Sequence, residues 1–343
     1  MVDQDKKEFV VNNHLTLRLE GGKTKIYVDG VVFLICKAII LNIPKNKIPE
    51  VKSMDDILEV SGMIEHEEDL TKYGITPLTE FWVHCSNLQI WAENDYNSDL
   101  LETKIAFPLM KRLSEVGDLK AKQIFKEEIA RRYANGTYDT QSYLEFEEFL
   151  DYLTMEELVV GGLSYEESSL LLDIIDFAKQ EGRTYEIVKS FDEDKVRHRF
   201  PSERFLTLKN GNVCVFEFDL YQKSAHLFNR FSFFKGIRNL DINLGSIEEN
   251  SINFGKIKCN SMVALRIYSR NLSYIPFKIF ECFPNLQYLR LYCAVKSEIK
   301  IENLESLLSL KKLKTLEFNK CLNKEHFNKL QRLKKKDLEI INI

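Results

Sequence analysis

Met262-Val-Ala-Leu265-Arg-Ile267 and Leu286-Gln-Tyr-Leu289-Arg-Leu291 share one pattern, with apolar residues at the first, fourth and sixth places. The pattern recurs at Ile237-Arg-Asn-Leu240-Asp-Ile242, at Leu313-Lys-Thr-Leu316-Glu-Phe318 and at Leu338-Glu-Ile-Ile341-Asn-Ile343. A degenerate copy, Val213-Cys-Val-Phe216-Glu-Phe218, leads the series. One such hexamer means little in a chain that is 44% apolar. The spacing carries the argument, because successive copies start 24, 25, 24, 27 and 25 residues apart. Alternating apolar and polar residues mark a strand with one buried face, and a fixed period of ~20–29 residues marks an array of strand-plus-return units. A single unit cannot bury its own apolar side. Stacked units share one continuous core and set their strands side by side in a parallel sheet. An ordinary α/β domain of alternating strands and helices does not account for six units at near-constant period.

After its strand, the unit from Met262 to Asn285 continues with Asn271-Leu272, Ile275-Pro276, Phe280 and Phe283. It resembles the leucine-rich repeat in its strand, asparagine turn, Leu-Pro step and short helical return. It departs from that template by placing Arg270 in the asparagine slot, with Asn271 one place late. A later unit puts Cys321 in the slot, followed by Leu322, Phe327, Leu330 and Leu333. The resemblance covers residues 213–343. It implies an α/β solenoid with a parallel concave sheet, whose outward side chains vary without touching the core.

Upstream, residues 9–43 read as β-rich. His14–Leu19 alternates at period two, Gly21-Gly22 turns the chain and Lys25–Val28 resumes. Asp29-Gly30 is a hairpin signal, and Val31–Ile43 reads as a buried strand, or one that enters a helix, until Pro44 stops it. From about residue 50 the pattern is helical. A short helix starts at Ser53, and Pro77–Trp91 places Phe81, Cys85, Leu88 and Trp91 on one face. Leu100–Val116 and Leu119–Tyr133 make a helical pair around Gly117 and Asp118, and further helices follow at Thr140–Tyr152, Thr154–Val160 and Tyr165–Gln180. Residues 181–203 read as a polar connection. The expected fold is therefore an α+β N-terminal part, a β-hairpin plus helices, followed by the repeat solenoid. Its expected divisions are 1–48, 49–203 and 204–343. This arrangement, with Trp91-Ala-Glu-Asn-Asp-Tyr96 ahead of the repeats, resembles uncharacterised archaeal leucine-rich repeat proteins. That resemblance implies no activity.

The chain of 343 residues has a formal net charge of −4 that hides a split: residues 1–203 carry −15 and residues 204–343 carry +11. Opposite charge lets the halves attract one another, or leaves the basic half for an acidic partner. The longest apolar run, Val31–Ile43, falls short of the ~20 residues of a membrane span, and Met1–Val10 is charged, unlike a signal peptide. Seven Cys without a CxxC pair or zinc-ligand spacing read as buried free thiols of a cytoplasmic protein.

No phosphate loop, dinucleotide fingerprint, HExxH or GxSxG motif is present. Glu65-His66-Glu67-Glu68-Asp69 is a dense carboxylate cluster, but adjacent residues do not converge on a helix, so it reads as a solvated loop. His84-Cys85 lacks an orienting third group and reads as core packing. Trp91, Glu93, Asn94, Asp95 and Tyr96 either bind a ligand or cap a helix end, and the capping reading is favoured. Lys311-Lys312 and Lys334–Lys336 are too short for a nucleic-acid footprint. No cofactor and no metal site is expected.

Two functional classes follow. The leading one is a non-enzymatic protein-interaction or scaffold module, and the alternative is an enzyme or nucleotide-binding protein with its site in the helical part. A weaker third reading has the basic repeats binding a polyanion. In the central repeats the alternation turns Arg266, Tyr268, Tyr288, Arg290 and Tyr292 outward as one candidate binding patch. Asn239, Asp241, Asn243, Thr315, Glu317 and Asn319 are expected around it as an exposed polar rim. The expected partner is a protein, for which an acidic surface fits the basic half.

Overall fold

A computed structural model describes all residues except 1–6, 37–42, 44, 62–73, 188–202, 248–250, 271–274, 295–306, 309, 320–323, 334–336 and 343. The chain divides into two compact units, Met1–Gly161 and Gly162–Ile343. The carboxylate cluster at 65–69, Cys321 and Lys334–Lys336 lie outside the described residues. No helix among the described residues is long and apolar enough to cross a membrane.

The first unit opens with four antiparallel strands in chain order, β1 (Lys7–Val10), β2 (Leu15–Glu20), β3 (Lys23–Val28) and β4 (Val31–Ile35). Asp29 and Gly30 both take left-handed backbone, φ 48° and 74°. That geometry matches a tight turn to the twist of the strands it joins. Leu15, Leu17 and Leu19 of β2 alternate with half-buried polar residues and are themselves buried, as are Ile26 and Val28 of β3. The buried strand expected over Val31–Ile43 is corrected for Val31–Ile35, since residues 37–42 lie outside the described residues. β4 is the edge of the sheet, and Val31, Val32 and Ile35 are 59%, 49% and 46% exposed. An edge strand has a neighbour on one side only, so its side chains lose half of their cover.

The helices follow local signals. Ser53 and Asp56 form a reciprocal capping box at the start of α1 (Met54–Val60). In α2 (Pro77–Glu93) Phe81, Cys85, Leu88 and Trp91 are buried, and the helix packs on β2 and β3. Thus the spacing of four apolar residues selected the correct face. Gly117 (φ 101°) ends α3 (Thr103–Glu115), and the Asp118 carboxylate accepts the N–H of Ala121 to start α4 (Leu119–Asn135). The helix expected over Thr140–Tyr152 is two pieces, α5 (Tyr138–Phe146) and a 3-10 turn at Phe149–Tyr152, because Glu148 adopts left-handed φ 60°. The 3-10 turn brings Phe149 against Phe107 and Phe125 in the core. α6 spans Met155–Gly162.

The second unit begins with α7 (Tyr165–Gln180) and builds one sheet of eight strands. They are β5 (Thr184–Ile187), β6 (Glu203–Lys209), β7 (Asn212–Leu220), β8 (Asn239–Leu244), β9 (Ala264–Ser269), β10 (Tyr288–Cys293), β11 (Thr315–Asn319) and β12 (Glu339–Asn342). β5 replaces part of the expected polar connection. It runs parallel to β6, and the Tyr185 hydroxyl donates to the Glu217 carbonyl at 2.7 Å. β6 and β7 form an antiparallel pair, whereas β7 to β12 are all mutually parallel.

Those six parallel strands fall on the six repeated hexamers. Leu240, Leu265, Leu289 and Leu316 stand side by side in register, each fully buried. The first hexamer position, at Ile237, Met262, Leu286, Leu313 and Leu338, is buried as well. The backbone repeats too. The Arg238 carbonyl accepts the N–H groups of Val263 and Ala264, that of Val263 accepts Gln287 and Tyr288, and that of Gln287 accepts Lys314 and Thr315. The last unit is corrected by one residue: Leu316 pairs with Ile340, not Ile341, and Ile340 is the buried one. A one-residue slip exchanges the faces of a strand, so Ile341 joins the opposite face. Behind the sheet the return segments contribute Phe228, Phe231, Phe234, Phe254, Phe280 and Phe283 to the core. Gly245 is required by close approach, since a Cβ there would lie 2.1 Å from the Tyr221 ring.

Candidate interaction surface

The five residues expected to form a patch are brought together. Arg266 stands opposite Arg290, and Tyr268 opposite Tyr292, in the parallel register of β9 and β10. The Tyr268 and Tyr292 rings lie 5.6 Å apart at 43°. Tyr288 sits two residues before Arg290 on the same face of β10.

The expected rim differs. Asp241 and Glu317 are 8% and 6% exposed, so they are part of the patch rather than its solvated border. Register explains this. Asp241 pairs with Arg266 and Glu317 with Arg290, giving one row of Glu217, Asp241, Arg266, Arg290 and Glu317 across five strands. Arg266 Nη1 donates to both Asp241 oxygens, at 2.9 and 3.1 Å. Arg290 Nε lies 3.4 Å from Glu317 Oε1. The Tyr288 hydroxyl donates to Glu317 Oε2, and Asn243 Nδ2 donates to Glu217 Oε1 at 2.8 Å. Within the row Asp241–Arg266 and Arg290–Glu317 are attractive, whereas Glu217–Asp241 and Arg266–Arg290 set like charges in register.

The electrostatics follow the geometry. Burial disfavours the charge of Arg266, but the Asp241 carboxylate more than offsets this and raises its pKa. Burial, with the acceptor Glu317 beside it, pushes the Tyr288 hydroxyl up to about 12. Tyr268 is raised mainly by burial. All three therefore keep their neutral-pH forms. Tyr288 and Arg290 are half-buried, which corrects the expectation that both stand free in solvent.

The described candidates of the first unit make the following contacts. Cys85 is buried, and burial pushes its thiol up to about 12, which disfavours the thiolate. His84 instead faces Glu80 at 3.4 Å. Trp91 and Tyr96 are buried with ring centroids 4.7 Å apart, and Asp95 and Tyr96 take left-handed φ of 57° and 53° as the chain turns. Asp95 pairs with Lys120 at 2.5 Å. The chain turns here at the end of α2. Lys311 and Lys312 are exposed. No family model, curated protein or solved structure matches the chain.

Proposed function

We propose that residues 213–343 form a leucine-rich repeat solenoid and that the chain is a cytoplasmic, non-enzymatic scaffold. It binds a protein partner through Arg266, Tyr268, Tyr288, Arg290 and Tyr292. The observation that carries this reading is the in-register pairing of β9 with β10, which sets two arginines and two tyrosines side by side on one face. Tyr and Arg supply large contact area with hydrogen-bonding groups and dominate interface energetics. Their rotamers are already restrained by Asp241, Glu317 and ring contact, so less side-chain entropy remains to be lost on binding. The solenoid reading draws support from the repeating register and from the doubly accepting carbonyls of Arg238, Val263 and Gln287. The six free cysteines among the described residues fit a reducing compartment.

The test is site-specific photo-crosslinking of the full chain in source lysate. A crosslinker at Tyr292 should capture a discrete protein, and capture should fall when Tyr268 is replaced by Ala. A crosslinker at exposed Tyr165 should not capture it. Equal capture from both positions would overturn the assignment of the binding face.

A further inference from the structure

Along the charged row, hydrogen-bonding capacity is used unevenly. Arg266 directs one nitrogen at both oxygens of Asp241, so its charge is answered within the protein. Among the described residues, Arg290 has only the ion pair of its Nε with Glu317 at 3.4 Å, and that nitrogen makes no hydrogen bond. The other Glu317 oxygen is already taken by the Tyr288 hydroxyl. Nη1 and Nη2 of Arg290 donate no hydrogen bond among the described residues, and the side chain is 33% exposed. Two residues further along each strand lie Tyr268 and Tyr292, in ring contact.

A guanidinium presents its N–H groups as a planar fork that matches the two oxygens of a carboxylate. With its Nε edge resting against Glu317, Arg290 offers the remaining fork already oriented. We infer that Arg290 anchors a single Asp or Glu carboxylate on an extended segment of the partner protein, with a neighbouring apolar side chain covering the Tyr268–Tyr292 pair. This rests on the binding face proposed above and names what that face recognises. The row limits the charge it will accept. It holds three carboxylates, Glu217, Asp241 and Glu317, against two guanidiniums. A phosphate dianion or a nucleic-acid backbone would lie against Asp241 and Glu317 as well as Arg290. A carboxylate brings one negative charge in one plane, and one free fork answers it.

The test selects random displayed peptides against the full chain and measures the recovered peptides by fluorescence anisotropy. Recovered sequences should carry Asp or Glu next to an apolar residue. Arg290→Gln should weaken their binding about ten- to a hundredfold, the range of one charge-assisted hydrogen-bonded contact. Replacing the peptide's acid by its amide should weaken binding to the natural chain similarly, and should add nothing to Arg290→Gln. Arg290→Lys keeps the charge and loses the fork, so it should also lose most of the affinity. It serves as the second variant if Arg290→Gln folds poorly. Peptides that need Tyr292 but ignore both Arg290 and their own acid would overturn the anchor and leave the face standing. Peptides indifferent to Tyr292→Ala and Arg290→Gln alike, or no binders at all, would overturn both. Tighter binding when phosphoserine replaces the acid would overturn the choice of a carboxylate.

Discussion

Tyr96 donates its hydroxyl to Oδ2 of Asp118, while Oδ1 of the same carboxylate accepts the N–H of Ala121 at 2.9 Å. One side chain thus caps α4 and ties down the turn that follows α2. Asn12 adds a third partner by donating to the Tyr96 hydroxyl at 2.8 Å, so the strand region, the turn and the helix start meet at one oxygen. Tyr96→Phe keeps the ring against Trp91 but strands a buried carboxylate oxygen. It should cost about 1–3 kcal/mol, the penalty for an orphaned buried acceptor. Urea denaturation of the full chain checks this, and an unchanged midpoint would contradict it.

The strand leucines of the second unit should behave as core. Leu265, Leu289 and Leu316 are fully buried and stacked in register. Each Leu→Ala change should lose ~2–5 kcal/mol, as transfer and cavity terms add. Tyr292→Ala on the opposite face should stay within ~0.5 kcal/mol, as for an exposed residue. If the two kinds of substitution cost the same in urea melts, the assignment of faces fails.

How far the chain could be read in advance depended on whether the deciding neighbour was local. Phe81, Cys85, Leu88 and Trp91 repeat along one helix, and strand hexamers repeat along the chain, so both were legible. Ile340 and Ile341 are both apolar, and only pairing with β11 decides which faces the core. Thr184-Tyr-Glu-Ile187 is a short run among charges, and it becomes a strand because β6 and the Glu217 carbonyl hold it. Asp241 and Glu317 read as exposed because alternation points them outward. Their burial comes from arginines on the next strand, a relationship that register alone creates.

Glu167 gives the second unit a pH dependence of defined sign. Its side chain on α7 is buried, accepting the Lys235 N–H at 3.1 Å and the Ser164 hydroxyl at 3.3 Å. Burial raises its pKa above the ordinary 4.5, despite these donors. A carboxyl raised on folding favours the folded state below its unfolded pKa, and that contribution is lost as pH rises through the folded value. Glu167→Gln removes the titration. Relative to the natural chain, the variant should therefore become more stable as pH rises from about 4 to 7. Chemical denaturation across this range tests the sign, and a constant difference between the two proteins would refute it.

Glu317 supplies the last prediction, because two of the proposed binding residues also support it. Glu317 is 6% exposed, with the Tyr288 hydroxyl on one carboxylate oxygen and Arg290 beside the other. Replacing Tyr288 and Arg290 together by Ala leaves this carboxylate without either neighbour. The double variant should lose about 1–3 kcal/mol, since a buried charge is then unpaired. Adding Glu317→Gln to that variant removes the charge that had become costly. The triple variant should therefore be more stable than the double one, although it carries one more substitution. Such non-additivity is expected only of residues in contact, so urea midpoints of the two variants test the contact directly. A triple variant no more stable than the double would show that solvent already reaches Glu317. A loss of binding in the double variant mixes recognition with stability for this reason. Tyr292→Ala is the cleaner probe of the face, since Tyr292 is 38% exposed and, among the described residues, no polar side chain relies on its hydroxyl.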